Sequence, residues 1–220
     1  MTDPEACQRA VYTAESTHGR IDVLVNNAGF GTVGALEETT EDELRHAMEV
    51  MFFGPMRLTR LALPGMRRRR SGAVVQVTSM GGLLAFAGVG TYCAAKGALE
   101  QASEALAAEV EPLGIRVLIV EPGAFRTEFN GAIAAAEALP DYEATVGAVR
   151  DSLAADDGKQ PGAPDKAARA LLTALALPDP PLRLPLGDDA VTAIRAKLAR
   201  VESDVESTTH IGTGPAINLP

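Results

Sequence analysis

Tyr92 and Lys96 are the two side chains of this sequence whose types and spacing could perform chemistry together. They stand four residues apart in TYCAAK, residues 91–96, where the other residues are small. On a helix, residues i and i+4 lie on one face, so the phenol hydroxyl and the ammonium can converge on one small volume. Such a pair could transfer a proton. The same spacing also occurs on ordinary amphipathic helices, so the rest of the chain must decide between the two interpretations.

Composition and charge narrow the class of protein. A chain of 220 residues, 46% apolar and 22% charged, is typical of one globular domain. The net charge of −9 argues against nucleic acid as a partner, and the four arginines at 67–70 are interpreted as the cationic end of a helix. No apolar run is long enough to span a membrane, and the N-terminus lacks the order of a secretory signal. We therefore expect a cytoplasmic protein with no membrane partner.

The cysteines and histidines do not predict a metal site. Cys7 and Cys93 lack the spacing of metal ligands and are too few for a disulfide framework, so free thiols are expected. The histidines are scattered, with no His-x-x-x-His pair and no nearby pair of cysteines.

Strands alternate with helices along the chain. Apolar runs rich in β-branched residues predict buried parallel strands, and caps with helical periodicity predict the helices. Helices are predicted at residues 3–18, 40–68 with a break or bend near Gly54-Pro55, 90–111, 165–177 and 188–204, and strands at 21–25, 73–78, 115–120 and 181–187. Crossovers of this length indicate an α/β fold with a parallel sheet.

Residues 1–204 are expected to form a single domain. Within this domain, residues 124–160 are predicted to form a helical flap around a hinge that contains glycine and proline. Long segments of this kind are usually functional lids or poorly ordered. Residues 205–220 have little periodicity and are expected to fray.

Three loops are predicted to open onto one edge of the sheet. They begin at Asn26, Ser79 and Pro122, each directly after a predicted strand. In parallel α/β sheets, ligands bind beyond the carboxyl ends of the strands. The helix that carries Tyr92 and Lys96 follows the second of these loops, so we expect the pair at the same edge.

The motifs in and around these loops resemble the classical short-chain dehydrogenase/reductase family. NNAG stands at 26–29, Ser79 precedes YCAAK by thirteen residues, and PGAFRT stands at 122–127, all in the family's order. The resemblance runs from residue 2 to about residue 200. It implies a Rossmann-like, doubly wound parallel sheet. PGAFRT and the short C-terminal portion favour this family over the sugar-nucleotide epimerases, which share the Tyr-Lys pair.

The resemblance implies an oxidoreductase that transfers a hydride between a nicotinamide cofactor, NAD or NADP, and a small carbonyl or alcohol substrate. Tyr92 would be the general acid/base, Ser79 would orient the reacting oxygen, and Lys96 would bond the nicotinamide ribose. A free phenol has a pKa of about 10, and the Lys96 ammonium is expected to lower it. The family's cofactor-binding positions correspond here to Asn26, Ala28, Gly29, Tyr92, Lys96, Pro122, Gly123, Phe125 and Thr127.

Two features depart from the family pattern. Met51 stands where the family usually has an asparagine that holds a water in a proton relay, and a thioether is at best a weak acceptor and cannot donate. The glycine-rich cofactor loop is absent, because only 25 residues precede Asn26. We therefore expect an N-terminally truncated domain that lacks the first βαβαβ portion and leaves its first strand as an open edge.

Two functions from different classes remain at this stage. The first is a dehydrogenase or reductase, a homo-oligomer when full-length, whose flap residues Phe125, Phe129 and Tyr142 suggest an apolar substrate lining. The second is a non-catalytic fragment that assembles with a full-length relative through the helices at 40–68 and 90–111.

Overall fold

The centre of the protein is a parallel sheet. The computed structural model describes residues 1–213. Its strands are β1 (Val23–Asn26), β2 (Thr32–Val33), β3 (Gly72–Val77), β4 (Ile115–Pro122), β5 (Ala134–Ala135) and β6 (Arg183–Leu186). The central sheet has the order β1-β3-β4-β6 with every pairing parallel, while β2 and β5 form a separate parallel pair. The four central strands confirm the predicted α/β class.

Helices connect and cover the strands. They are α1 (Pro4–His18), α2 (Glu41–Met48), α3 (Gly54–Arg69), α4 (Met80–Leu83), α5 (Gly90–Val110), α6 (Ala148–Ala155), α7 (Pro164–Ala176) and α8 (Asp188–Gly212). Turns of 3-10 helix lie at Glu111–Leu113, Asn130–Ala132 and Pro140–Tyr142, and π-helical turns lie at Glu49–Phe53 and Glu143–Gly147.

Local chemistry explains where the first helices begin and end. The Asp3 carboxylate accepts hydrogen bonds from the first free N–H groups of α1, and Gly19 ends that helix at a φ of 78°, which favours glycine. At α2, Thr40 and Glu43 form a reciprocal capping box. The predicted break lies at the π-helical turn Glu49–Phe53, immediately before Gly54.

The sheet has an apolar layer on each face. On one face, α3 and α5 pack against it through Ala62, Met66, Val74, Leu106, Val110, Ile115, Val117 and Ile119. On the other face, α7 packs against it through Val75, Leu118, Val120, Ala174 and Leu186. Helices on both faces are the doubly wound arrangement that the resemblance implies.

Strand β1 is less buried than its sequence predicts. Val23 is 43% exposed and Val25 is 47% exposed, whereas Leu24 packs against the layer formed by α3 and α5. The cause is position, because β1 lies at the edge of the sheet and α7 covers β4 and β6 on the other face. The strand is therefore buried on one face only.

The prediction of a frayed tail after residue 204 was wrong over residues 205–212. Helix α8 continues to Gly212, because no glycine or proline interrupts residues 188–211 and apolar residues recur at helical spacing. Residues 214–220, also part of that prediction, lie outside the described residues. Within the described part of the chain, no helix is long and apolar enough to cross a membrane.

Candidate active site

The carboxyl ends of the central strands lie side by side, as predicted. Asn26 pairs with Gln76, and Val77 pairs with Val120, so β1, β3 and β4 end at nearly the same level. The loop after β1, residues 27–29, is exposed. A ligand approaching this edge would meet the Ala28 and Gly29 backbone with no large side chain in the way.

Helix α5 carries Lys96 to the end of β3. The residue is 3% exposed, and its Nζ donates a hydrogen bond to the Val77 carbonyl oxygen at 2.8 Å. The same Nζ lies 5.8 Å from the centroid of the Tyr92 ring. Within residues 1–213, the Val77 carbonyl is the one hydrogen-bond acceptor of this ammonium, which leaves two of its three N–H groups available.

Ser79 completes the cluster from the loop after β3. Its backbone is extended, and its Oγ accepts a hydrogen bond from the Gly81 N–H at 3.0 Å, which caps the short helix α4. A Cβ added at Gly81 would lie 3.4 Å from both the Ser79 Oγ and the Tyr92 ring, so the hydroxyl and the ring border the same small space. The three side chains that the resemblance marks as catalytic are therefore neighbours.

Burial shifts both titratable groups of the cluster toward their neutral forms. It lowers the pKa of Lys96 to about 8 and raises the pKa of Tyr92 to about 12. The Ser79 hydroxyl acts in the opposite direction on the phenol pKa, with a smaller effect. In the protein alone the phenol pKa is therefore raised and not lowered as expected, because desolvation is the largest cause and Lys96 is not among the groups that shift it.

Gly29 and Met51 meet Lys96 from the other side. A Cβ added at Gly29 would lie 3.2 Å from the Lys96 Nζ and 3.7 Å from the Met51 sulfur, so a side chain there would crowd the ammonium. Met51 is 1% exposed and sits in the π-helical turn Glu49–Phe53. The side chain at the usual asparagine position is thus an apolar neighbour of Lys96 and offers no N–H or O–H group.

Asn26 is oriented toward the interior. It is 3% exposed, and its Nδ2 donates to the Gln76 amide oxygen at 2.9 Å, the Thr59 hydroxyl at 3.1 Å and the Pro55 carbonyl at 3.3 Å. These bonds tie the end of β1 to β3 and α3, so the side chain positions the loop that follows. A contact between Asn26 and a cofactor stays a prediction.

The turn after β4 is shaped by Asp189, a residue that the sequence analysis did not identify. The Asp189 carboxylate at the start of α8 accepts a hydrogen bond from the Ala124 N–H at 2.7 Å. It also fills the space where a side chain at Gly123 would point, so any other residue at position 123 would have to displace this carboxylate. The sequence signal that could have identified Asp189 is the pair of acids that follows the last strand, in LGDD.

The remaining residues of PGAFRT have different surroundings. Pro122 is the last residue of β4, and the Phe125 side chain packs with Val77 against the core layer near α7. Thr127 is exposed, and its Oγ1 accepts a hydrogen bond from the Phe129 N–H at 3.3 Å. The backbone of this segment bonds to Asp189 and to Gly162, and the Phe125 ring lies in the apolar layer near α7, so it does not line the site.

Phe129 is the aromatic residue of the flap that reaches the cluster. Its ring meets the Tyr92 ring edge to face, with centroids 5.6 Å apart. Strands β2 and β5 hold this part of the flap beside the loop after β1. Tyr142, by contrast, donates its hydroxyl hydrogen bond to Glu37 at the surface. The apolar lining at the cluster is thus supplied by Phe129.

Glu38 ties the flap to the rest of the domain, and no pattern in the sequence identified it. Its side chain is 1% exposed, with the carboxylate accepting hydrogen bonds from the Ala35 and Leu139 N–H groups, each at 2.7 Å. The Arg150 guanidinium lies 3.6 Å away. In the sequence, Glu38 resembles an ordinary acid before a helix, because two of its partners, Leu139 and Arg150, stand about a hundred residues later.

A buried pair of acids lies one helical turn beyond Lys96. Glu100 on α5 and Glu121 on β4 both have fully buried side chains, and the Arg183 Nε lies 3.1 Å and 3.2 Å from them. Burial is the largest cause that raises the pKa of Glu121, and the neighbouring Glu100 is the next. The pKa is raised to about 8. Glu121 is therefore largely protonated near neutral pH, which removes the repulsion between two carboxylates. Among the residues that the structure describes, no group of acids, histidines and cysteines has the arrangement of a metal site.

Comparison with known proteins gives consistent matches. The sequence profile described as short chain dehydrogenase matches residues 1–138. The oxidoreductase BOA17 of Botryotinia fuckeliana is 36% identical over 192 residues, which cover 87% of this chain and 70% of that protein. The chain spans 48% and 57% of the lengths of two further curated relatives that it matches.

Two solved structures extend the comparison. A short-chain dehydrogenase from Streptomyces avermitilis is 48% identical with a TM-score of 0.91, and the match covers 98% of this chain and 78% of that one. A gluconate 5-dehydrogenase from Burkholderia cenocepacia, in complex with NADP and tartrate, is 28% identical with a TM-score of 0.56. That match covers 59% of this chain and 51% of the other.

Proposed function

This chain belongs to the short-chain dehydrogenase family of oxidoreductases, and from that premise we propose that Tyr92 is the general acid/base of a hydride transfer. The transfer takes place between a nicotinamide and a small carbonyl or alcohol substrate. One observation carries the proposal: Tyr92, Ser79 and the buried Lys96 come together at the end of β3. The same observation favours an enzyme over a non-catalytic fragment.

The residues at this edge fit the nicotinamide end of a cofactor. Two free N–H groups of the Lys96 ammonium suit the hydroxyls of a ribose, and Gly29 leaves room for a group beside them. The Pro122–Gly123 turn and Thr127 are the further contacts we propose. When bound, the nicotinamide supplies or accepts the hydride. The sequence has no glycine-rich turn for a pyrophosphate, so the proposal concerns this end of the cofactor and leaves NAD and NADP undistinguished.

The surroundings of Tyr92 favour proton donation. A phenol whose pKa is raised to about 12 is neutral at pH 7 and can give its proton to a developing alkoxide. Ser79 would donate a hydrogen bond to the same oxygen and hold the substrate in place. We therefore propose carbonyl reduction as the favoured direction, with Phe129 covering the apolar part of the substrate.

The first experiment is a titration of the chain with NADH and with NADPH, followed by nicotinamide fluorescence. We expect a saturable change with at least one of them and a weaker response from Lys96→Met. The matched control is Lys166→Met, which changes a lysine on α7. Absence of any change with either cofactor, in a chain shown to be folded, would refute the proposal. Binding would then be followed by absorbance assays with a panel of ketones and aldehydes.

A further inference from the structure

Helix α8 extends away from the rest of the protein. Its beginning is anchored by Ala190, fully buried, and Ile194, 7% exposed. From Arg195 to the end of the described chain, every residue is exposed. At 1.5 Å per residue, the helical part of this segment, residues 195–212, is about 27 Å long. Most of the stability of helices in proteins comes from packing, so a partner for this unpacked segment is to be expected.

An apolar stripe continues along the free part of the helix. Leu198, Val201 and Val205 follow Ile194 with alternating spacings of four and three residues, as in a coiled coil. Their exposed fractions are 59%, 42% and 60%. The stripe that anchors the start of the helix therefore runs on past the body of the protein, where nothing in residues 1–213 covers it.

The charges beside the stripe identify the partner. Arg195 and Lys197 flank its first half, while Glu202 and Asp204 flank its second half. These four residues occupy the heptad positions that form ion pairs between helices. In an antiparallel pair of identical helices, the cationic half of each faces the anionic half of the other. A parallel pair would keep only the Lys197–Glu202 ion pair, because it leaves Arg195 opposite Ala190 and Asp204 opposite Thr209.

We propose that α8 of one chain packs antiparallel against α8 of a second copy. The interface buries Leu198, Val201 and Val205, and Arg195 and Lys197 of each copy face the acids of the other. Two-fold symmetry makes every contact occur twice. A membrane surface is a poorer partner, because such helices carry cations along the polar face and this one carries both signs.

Sedimentation equilibrium over a range of concentrations tests the apolar contact. We expect a reversible monomer–dimer equilibrium for the wild-type chain, and a monomer for Leu198→Asp. The control is Leu172→Asp, which places the same charge at a leucine on α7 that is 65% exposed, and which should dimerise like wild type. A wild-type chain that stays monomeric, or a dimer that survives Leu198→Asp, would overturn the proposal.

A charge exchange tests the partner and keeps the test valid if Leu198→Asp simply unwinds the helix. We expect the double variant Arg195→Glu with Lys197→Glu to be monomeric alone. Four anionic residues on each helix would then face the four anionic residues of the other copy. Glu202→Lys with Asp204→Lys should be monomeric for the converse reason. Mixing the two variants should restore a dimer containing one chain of each. Two variants that remain dimeric alone, or a mixture that does not associate, would contradict the pairing.

Discussion

The Lys96 Nζ and the Val77 carbonyl oxygen are 2.8 Å apart, so the last residue of β3 holds the ammonium beside the Tyr92 ring. This bond fixes the long lysine side chain at the point where the sheet ends. It leaves the remaining N–H groups directed away from the strand. The position of the ammonium therefore depends on the sheet.

Tyr92→Phe tests the proposed general acid. The change removes one hydroxyl and keeps the ring that packs against Phe129, so the fold should be preserved. Loss of a general acid typically slows a reaction by about 100- to 10,000-fold, and we expect a decrease in kcat of that order. Tyr12→Phe is the control, because Tyr12 is 73% exposed on α1. A Tyr92→Phe enzyme with wild-type kcat would exclude the assigned role.

The pH dependence of stability tests the burial of Lys96. Its pKa is about 8 in the folded chain and 10.5 without burial, so above pH 8 the unfolded chain binds more protons than the folded one. The Lys96 contribution to the free energy of unfolding should therefore rise from pH 8 to pH 10, while the raised pKa values of Cys93 and Tyr92 act in the opposite direction near the top of this range. Urea unfolding at several pH values should therefore show a free energy of unfolding that rises more, or falls less, for wild type than for Lys96→Met. Parallel profiles would indicate an ammonium in contact with solvent.

Glu121 is expected to change the free energy of unfolding in the opposite direction, over a lower range of pH. Because its pKa is raised from 4.5 to about 8, the folded chain keeps a proton that the unfolded chain releases. Its contribution to the free energy of unfolding should fall as the pH rises from 4.5 to 8. Glu121→Gln imitates the protonated acid and should remove that fall. Glu104→Gln is the matched control, since Glu104 contacts Arg183 from a half-exposed position; if it changes the profile equally, the assignment to Glu121 fails.

Met51→Asn should increase turnover. The thioether lies beside Lys96 and has no group that can donate a hydrogen bond, whereas an amide could hold a water there. Met51→Leu keeps the site apolar and serves as the control, with no gain expected. The measurement is kcat under saturating cofactor and substrate, alongside the unfolding temperature. Equal kcat values for wild type and a folded Met51→Asn protein would show that the missing proton relay does not limit turnover.

Glu38→Ala should loosen the flap. The change removes the acceptor of the Leu139 N–H group, and one lost hydrogen bond to a charged group corresponds to about 1.5–3 kcal/mol. Hydrogen–deuterium exchange should therefore become at least tenfold faster around Leu139, and KM should rise more than kcat falls. Glu137→Ala changes an exposed acid in the same segment and should leave the exchange rates unchanged. An unaltered Leu139 exchange rate in Glu38→Ala would show that other contacts hold the flap.

The sequence predicted those features that depend on neighbouring residues. The first helix, the break near Gly54 and the convergence of Tyr92 with Lys96 follow from helix geometry within a few residues. The alternation of strands and helices then indicated the parallel sheet and the shared carboxyl edge of its strands. These predictions hold because local chemistry and the tertiary fold require the same arrangement.

Features that depend on distant segments were not predicted. Glu38 bonds to a residue 101 positions later, and Glu100 meets Glu121 and Arg183 only after the sheet has formed. No periodicity marks such contacts in advance. The direction of the Tyr92 pKa was wrong for the same reason, because desolvation is a property of the packed protein and depends on everything around the ring.

Asp189 and Gly123 will not vary independently as this sequence diverges. The acid fills the volume that any side chain at position 123 would need, and it holds the Ala124 N–H at the same time. Alanine at position 123 therefore requires the Asp189 side chain to move or to be replaced by a smaller one, whereas loss of the acid leaves position 123 free to change. Aligned sequences of relatives should therefore show positions 123 and 189 changing together, as a correlated pair.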